Sequence, residues 1–321
     1  LKDGSASSSA ANRFDFGADF VLASKAGAHL KYDGNSSRWR NVTGSGSGGS
    51  GGGSGTVTQV NTGPGLTGGP VTTSGTIAVD PAYLQGYLFG LTLSTAGSSS
   101  SFGVATGVAT DAANASIMKL SSAYTKTTSA WSVGSGNGAL DTGSIATNTW
   151  YHVWLVQRSD TGVVDVLIST SATTPTMPTN YDRKRRIGSM KTDGSSQWTS
   201  FSQIGDKFYW SSAATDFTGA ARTDALLAVS VPTGIVVAPI VSGYITSGVS
   251  SATTQLLMGN GAAASASIII AGSGDNYGKS AGVTSDVFTD TSAQIRMAAT
   301  GNLLASGTKI TTAGWIDTRG R

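Results

Sequence analysis

The sequence predicts an all-β protein: short β modules at the N-terminal end, then two β-sandwich, jelly-roll-like domains. Three observations carry that expectation. Ser, Thr and Gly together make up about 40% of the 321 residues, the bias of short strands and tight turns. All 18 acidic residues are Asp, so Glu, a strong helix former and a frequent catalytic carboxylate, is missing throughout. Over the C-terminal two-thirds, short apolar alternations recur between Gly/Ser/Thr turns.

Residues 1–43 read as a small β module. Phe14 and Phe16, Phe20 and Leu22, then Ala28, Leu30 and Tyr32 each fill one face of a strand. Asp33, Gly34, Asn35 and Ser36 form a turn signal, after which 38–42 returns as a strand. Residues 44–56, nearly all Gly and Ser, have no side chain able to pack and read as a flexible linker.

Residues 57–80 punctuate Val57, Val60, Leu66, Val71, Ile77 and Val79 with Gly and Pro turns. No single-chain core is visible there. Such a segment can be an ordered linker, or a shaft of short strands wound with two other chains that share an axial core. The shaft reading makes the protein a fibrous homotrimer.

Residues 81–222 are expected to form the first sandwich. Its clearest hairpin runs 150–156, turns at 159–162 and returns over 163–168; the first strand is apolar on both faces and should be central. A second hairpin, 201–204 to 207–210, turns on Gly205 and Asp206, a loop suited to a type I′ or II′ turn. Residues 83–93 carry apolar residues on both faces and read as a long strand, and helix should be confined to a turn or two near 81–85. Residues 223–321 should form the C-terminal sandwich, with strands near 226–231, 235–246, 255–258, 267–271, 294–298, 309–312 and 315–317.

Composition narrows the chemistry. The chain has no Cys, which removes disulfides, thiolate metal sites and cysteine nucleophiles. A formal charge of +3, from 21 basic against 18 acidic residues, is too slight to demand nucleic acid as a partner. The longest apolar run, 235–241, contains Pro239 and is far too short for a membrane span, so no membrane insertion is expected. Opening at Leu1 rather than Met, the chain is expected to be part of a longer product.

Only two histidines, His29 and His152, are available to a catalytic triad or a histidine metal site. His152 lies between Trp150 and Trp154 in a strand and reads as a core residue. Residues 273–278, with Asp286 and Asp290, loosely suggest a calcium loop, but the spacing fits no EF-hand and turn chemistry explains it better. No close Asp pair marks a glycoside hydrolase. No catalytic, metal or cofactor-binding residue is therefore expected. The one charge cluster, Arg183 to Arg186, follows an extended Pro-containing segment. Tyr181, Arg183, Arg185 and Trp198 form a candidate glycan-binding patch, with cations for acidic sugars and rings for stacking. The competing reading is a strand whose cations pair with Asp182, Asp193 or a neighbouring chain.

The run 55–77, GTVTQVNTGPGLTGGPVTTSGTI, resembles the Gly/Thr-rich shafts of bacteriophage tail fibres. Residues 136–190, with the closing GWIDTRGR of 314–321, are similar to the distal part of phage and prophage tail-fibre proteins, and 11–42 to a small module of phage tail proteins. The resemblance implies a homotrimeric virion fibre, joined to other tail proteins through its N-terminal end, whose distal end binds bacterial surface polysaccharide without cleaving it. Two alternatives stand beside it: a purely structural collar, whisker or head fibre, and, third, a depolymerase tailspike.

Overall fold

The computed structural model describes residues 30–33, 38–41, 57–247, 253–260, 268–273, 279–283 and 287–320. The expected strands before residue 30, the linker at 44–56 and most of the loosely calcium-like loop lie outside them. Among the described residues the secondary structure is β throughout, with one 3-10 turn and no α-helix. The chain divides into two units: residues up to 61 with 69–75, and 62–68 with 76–321.

In the first unit, β1 (Leu30–Asp33) and β2 (Arg38–Asn41) form the expected antiparallel hairpin, with Tyr32 opposite Trp39. Those two rings meet edge-to-face at 5.5 Å, the arrangement their quadrupoles favour. Val60 and Val71 make an isolated antiparallel bridge.

The second unit opens with β3 (Leu66–Thr67) and β4 (Ala78–Val79), a two-residue ladder. The 3-10 turn Pro81–Tyr83 follows, where the turn was expected. The Asp80 side chain caps it by accepting from the Ala82 N–H at 3.0 Å. Beyond it lie β5 (Leu88–Gly90), β6 (Leu93–Ser94), β7 (Ser101–Val104), β8 (Gly107–Thr110), β9 (Ile117–Leu120), β10 (Tyr124–Ala130), β11 (Gly138–Leu140), β12 (Trp150–Gln157), β13 (Val164–Ser169) and β14 (Arg183–Lys191). Strands β5, β8 and β9 make a three-stranded antiparallel sheet. The rest form a seven-stranded sheet in the order β14-β12-β13-β11-β10-β7-β6. Both faces of β12 are apolar, and all eight of its residues are buried between β14 and β13. The central strand sits where its pattern requires.

After these come β15 (Phe201–Ile204), β16 (Lys207–Gly219), β17 (Arg222–Ala228), β18 (Ala238–Ser247), β19 (Thr253–Gly259), β20 (Ile268–Ser273), β21 (Lys279–Val283), β22 (Gln294–Thr300) and β23 (Leu303–Ile316). They build a five-stranded sheet, β15-β16-β23-β18-β21, and a four-stranded one, β17-β22-β19-β20. The β15–β16 hairpin has the expected two-residue loop, Ile204 pairing with Lys207. Gly205 takes φ +60 while Asp206 stays out of the left-handed region, the II′ pattern that glycine at the first loop position permits.

Three expectations are corrected. A long strand was expected over 83–93. Positive φ at Gly90 (70°) and Leu91 (54°) instead breaks it into β5 and β6. Strands expected separately at 309–312 and 315–317 are one, β23. The division expected at residue 222 does not separate the sheets, because β16 pairs with β23 from Lys207↔Ile316 to Gly219↔Thr308. One core runs across that point, joining Phe102, Tyr151 and Trp198 to Leu256, Ile295 and Met297. At its middle Trp315 stacks on Phe208 at 5.0 Å and meets Trp150 of β12 edge-on at 5.3 Å. Large aromatic side chains thus lock the seven- and five-stranded sheets together.

Candidate functional site

The structure does not bring the four sequence-chosen residues to a common surface. Trp198 is fully buried; its ring meets Phe102 and Tyr151 edge-on at 5.5 and 5.9 Å, and its Nε1 donates to the Ser100 carbonyl at 3.2 Å. Tyr181 is buried in a smaller cluster with Trp154, Val156 and Leu167, and burial raises its phenol above the usual range. Arg185 is 6% exposed and donates through Nη2 to the Gly320 and Gly86 carbonyls at 2.9 and 3.1 Å. Arg183, half-buried at the start of β14, is the most accessible of the four. A stacking platform for sugars cannot be assembled from rings that are themselves core. The expected patch is therefore corrected to a packing site.

What the cations of β14 hold is the end of the chain. Arg186 makes a two-pronged ion pair with Asp317, at 2.5 and 2.8 Å. The Asp317 carboxylate also accepts the Arg319 backbone N–H at 2.8 Å. Arg319 reaches Asp206 at 3.0 Å and the Gly90 carbonyl at 3.2 Å. Residues 317–320 are thereby clasped to β14, to the β15–β16 turn, to Gly86 and to the end of β5 at Gly90. Burial alone would raise the Asp317 carboxyl, but the Arg186 hydrogen bonds and charge outweigh it and hold the group below its ordinary range. The cation-pairing reading of the cluster identified the right chemistry, with Asp317 rather than Asp182 or Asp193 as partner.

His152 is a core residue, 1% exposed, its Nδ1 2.9 Å from the Ser189 hydroxyl. Burial first, and the Arg186 charge second, push its pKa down to about 4. Asp290 accepts from the Ser292 and Gln294 backbone N–H groups at 2.9 and 2.8 Å, which is turn chemistry. Among the described residues no group of three or more His, Cys or Asp could hold a metal ion.

A different surface carries two shallow hollows. At the β6 end of the seven-stranded sheet, across β6, β7 and β10, a shallow hollow of about 380 Å³ is lined by Thr92, Ser94, Gly103, Tyr124 and Thr125 with the apolar Val104, Ala105 and Ala123, and it adjoins a second lined by Thr95, Ser99 and Ser101 with Ala96 and Phe102. Gly103 keeps the floor open: a Cβ there would meet the Ser94 hydroxyl oxygen at 2.6 Å. Hydroxyls that both donate and accept suit the hydroxyls of a sugar, and the half-buried Tyr124 ring offers an apolar edge. No carboxylate or imidazole lines either hollow. Sequence reasoning had no purchase on this groove, since Ser and Thr are too common in the chain to mark a site. No protein-family model, curated protein or solved structure matches the chain.

Proposed function

We propose that this protein is a bacteriophage tail fibre, a homotrimer that attaches the virion to a bacterial surface polysaccharide without cleaving it. The observation that carries the reading is the apolar surface left uncovered in the single chain. Val57 and Val60 in one unit, and Leu66, Ile77, Val79, Tyr83 and Phe89 in the other, are all exposed, Val57 and Phe89 to about 70%. These residues follow one another through the shaft-like segment and just beyond it. A long run of unburied Val, Ile, Leu and aromatic residues is the pattern of surface meant for another chain. Three copies winding this segment together would bury it, and the sheets after residue 81 would then form jelly-roll-like sandwiches at the distal end.

The β6 groove supports the attachment role, because weak hydroxyl contacts repeated three times per fibre and over several fibres hold by avidity. Light scattering on the purified protein tests the assembly: a mass of three chains is expected, and a folded monomer at micromolar concentration overturns it. Antibody raised against the chain should label tail fibres in virion micrographs. Labelling at the collar or head instead would support a structural fibre without receptor contact.

A further inference from the structure

The seven-stranded sheet encloses an ion pair that neither assembly nor attachment uses. The Lys126 ammonium of β10 and the Asp165 carboxylate of β13 lie 3.0 Å apart, and neither side chain has any exposed surface. Strand β11 runs between the two strands that carry them. Lys126 Nζ donates to the carbonyls of Ser132 and Gly134 at 2.8 and 3.1 Å, as well as facing Asp165 Oδ1. On the other side Asp165 Oδ1 accepts the Val166 N–H and Oδ2 accepts the Gly134 N–H, each at 2.6 Å. The Trp131 ring lies 5.7 Å from the ammonium, and its own Nε1 is tied to the Val166 carbonyl at 3.2 Å. Nucleophile, electrophile and backbone donors are thus held dry and in contact.

Two charges taken out of water are expensive to keep, and their attraction repays that cost only in part. A reaction that removes both charges together relieves the penalty. We infer that Lys126 and Asp165 condense to an intramolecular amide, a covalent cross-link between β10 and β13. A proton first passes from Nζ to Oδ1 along their contact, leaving a neutral amine and a neutral acid. The amine lone pair then attacks Cγ, the Nζ–Cγ bond forms and negative charge gathers on Oδ2. There the Gly134 N–H already points, as an oxyanion donor should. The Cγ–Oδ1 bond breaks, and Oδ1 departs as water with two of the three ammonium hydrogens. The third stays on the amide nitrogen and donates to the Ser132 carbonyl. Positive and negative charge cancel, and no oxidant or other reactant is consumed.

Two features make the step accessible. Burial lowers the Lys126 pKa against the opposing pull of Asp165, which brings the neutral amine within reach. Fixing both groups in one fold turns an encounter that is hopeless between free side chains in water into an intramolecular one. In a chain without cysteine, such a bond fastens the sheet as a disulfide would, and reductant leaves it intact.

Intact-mass spectrometry of the denatured full-length chain is the test. The protein should be lighter than its sequence by one water, and proteolysis should yield one branched peptide carrying both Lys126 and Asp165. Lys126→Arg should restore the full sequence mass. A wild-type chain at full mass, with the two residues in separate peptides, overturns the inference. So does a deficit that survives in Lys126→Arg, which would place the bond elsewhere.

Discussion

Acidifying the solution from about pH 7 to about pH 5 should weaken the fold by about 2 kcal/mol through His152 alone. In the unfolded chain an imidazole titrates near 6.5, whereas in the fold burial and then Arg186 push His152 down to about 4. A depressed folded pKa fixes the sign. The stabilisation from keeping this ring neutral is complete above about pH 6.5 and is lost as the pH falls towards about 4. At about pH 5 the unfolded ring is nearly all protonated and the folded one is not, a difference of about twentyfold in the folding constant. Guanidinium unfolding followed by tryptophan fluorescence at the two pH values measures it, with His152→Gln as the control that removes the titration. The variant is expected to be less stable overall but to lose little between the two conditions. His29 is common to both proteins and cancels. Equal losses in wild type and variant would refute the reasoning, because the slope would then belong to groups other than His152.

Two further predictions concern Asp317, the partner of Arg186, and the sequence-chosen Trp198. Asp317→Asn leaves the Arg186 guanidinium, itself little exposed, without its counter-charge and should cost about 3–5 kcal/mol in thermal or chemical unfolding. The Asp317 contribution is present above the ordinary carboxylate range near pH 4 and fades as the pH falls through the lower folded value, so the variant should show a flatter acid limb than wild type. Trp198→Ala should open a cavity costing about 3–5 kcal/mol, while the host-cell binding proposed above should be unchanged in the protein that remains folded. Loss of binding at unchanged stability would instead make Trp198 a surface residue.

How far the sequence could be read depended on how local the determining interactions are. The hairpins at 150–169 and 201–210 were legible because alternation and turn residues lie within one short window. The partner of Arg186 was not, because Asp317 lies 131 residues away and either end of that pair reads alone as a solvated charge. Trp198 misled for a related reason. Its neighbours Ser195, Ser196, Gln197 and Thr199 are all polar, yet backbone bonds to Ser98 and Ser99 draw the ring beneath the β7 side of the core. Lys126 was missed because Lys is rarely buried without a partner, and that partner comes from a strand two places away in the sheet. The boundary at 222 failed because local pattern marks where strands lie but not which distant strand pairs with them.

The pairing of β16 with β23 also sets an order of events during synthesis. Strand β16 leaves the ribosome with only the short β15 beside it, and β18 follows with its neighbour on the same side still missing. Both edges stay unpaired until residues 303–316 appear and slide in between them. The five-stranded sheet therefore closes late, by a contact between segments far apart in the chain, which is the slow kind of folding step. In the interval the nascent protein displays two long open strand edges, the feature through which chains pair wrongly with their neighbours. Newly made copies crowded on one message are most exposed to mispairing during that interval.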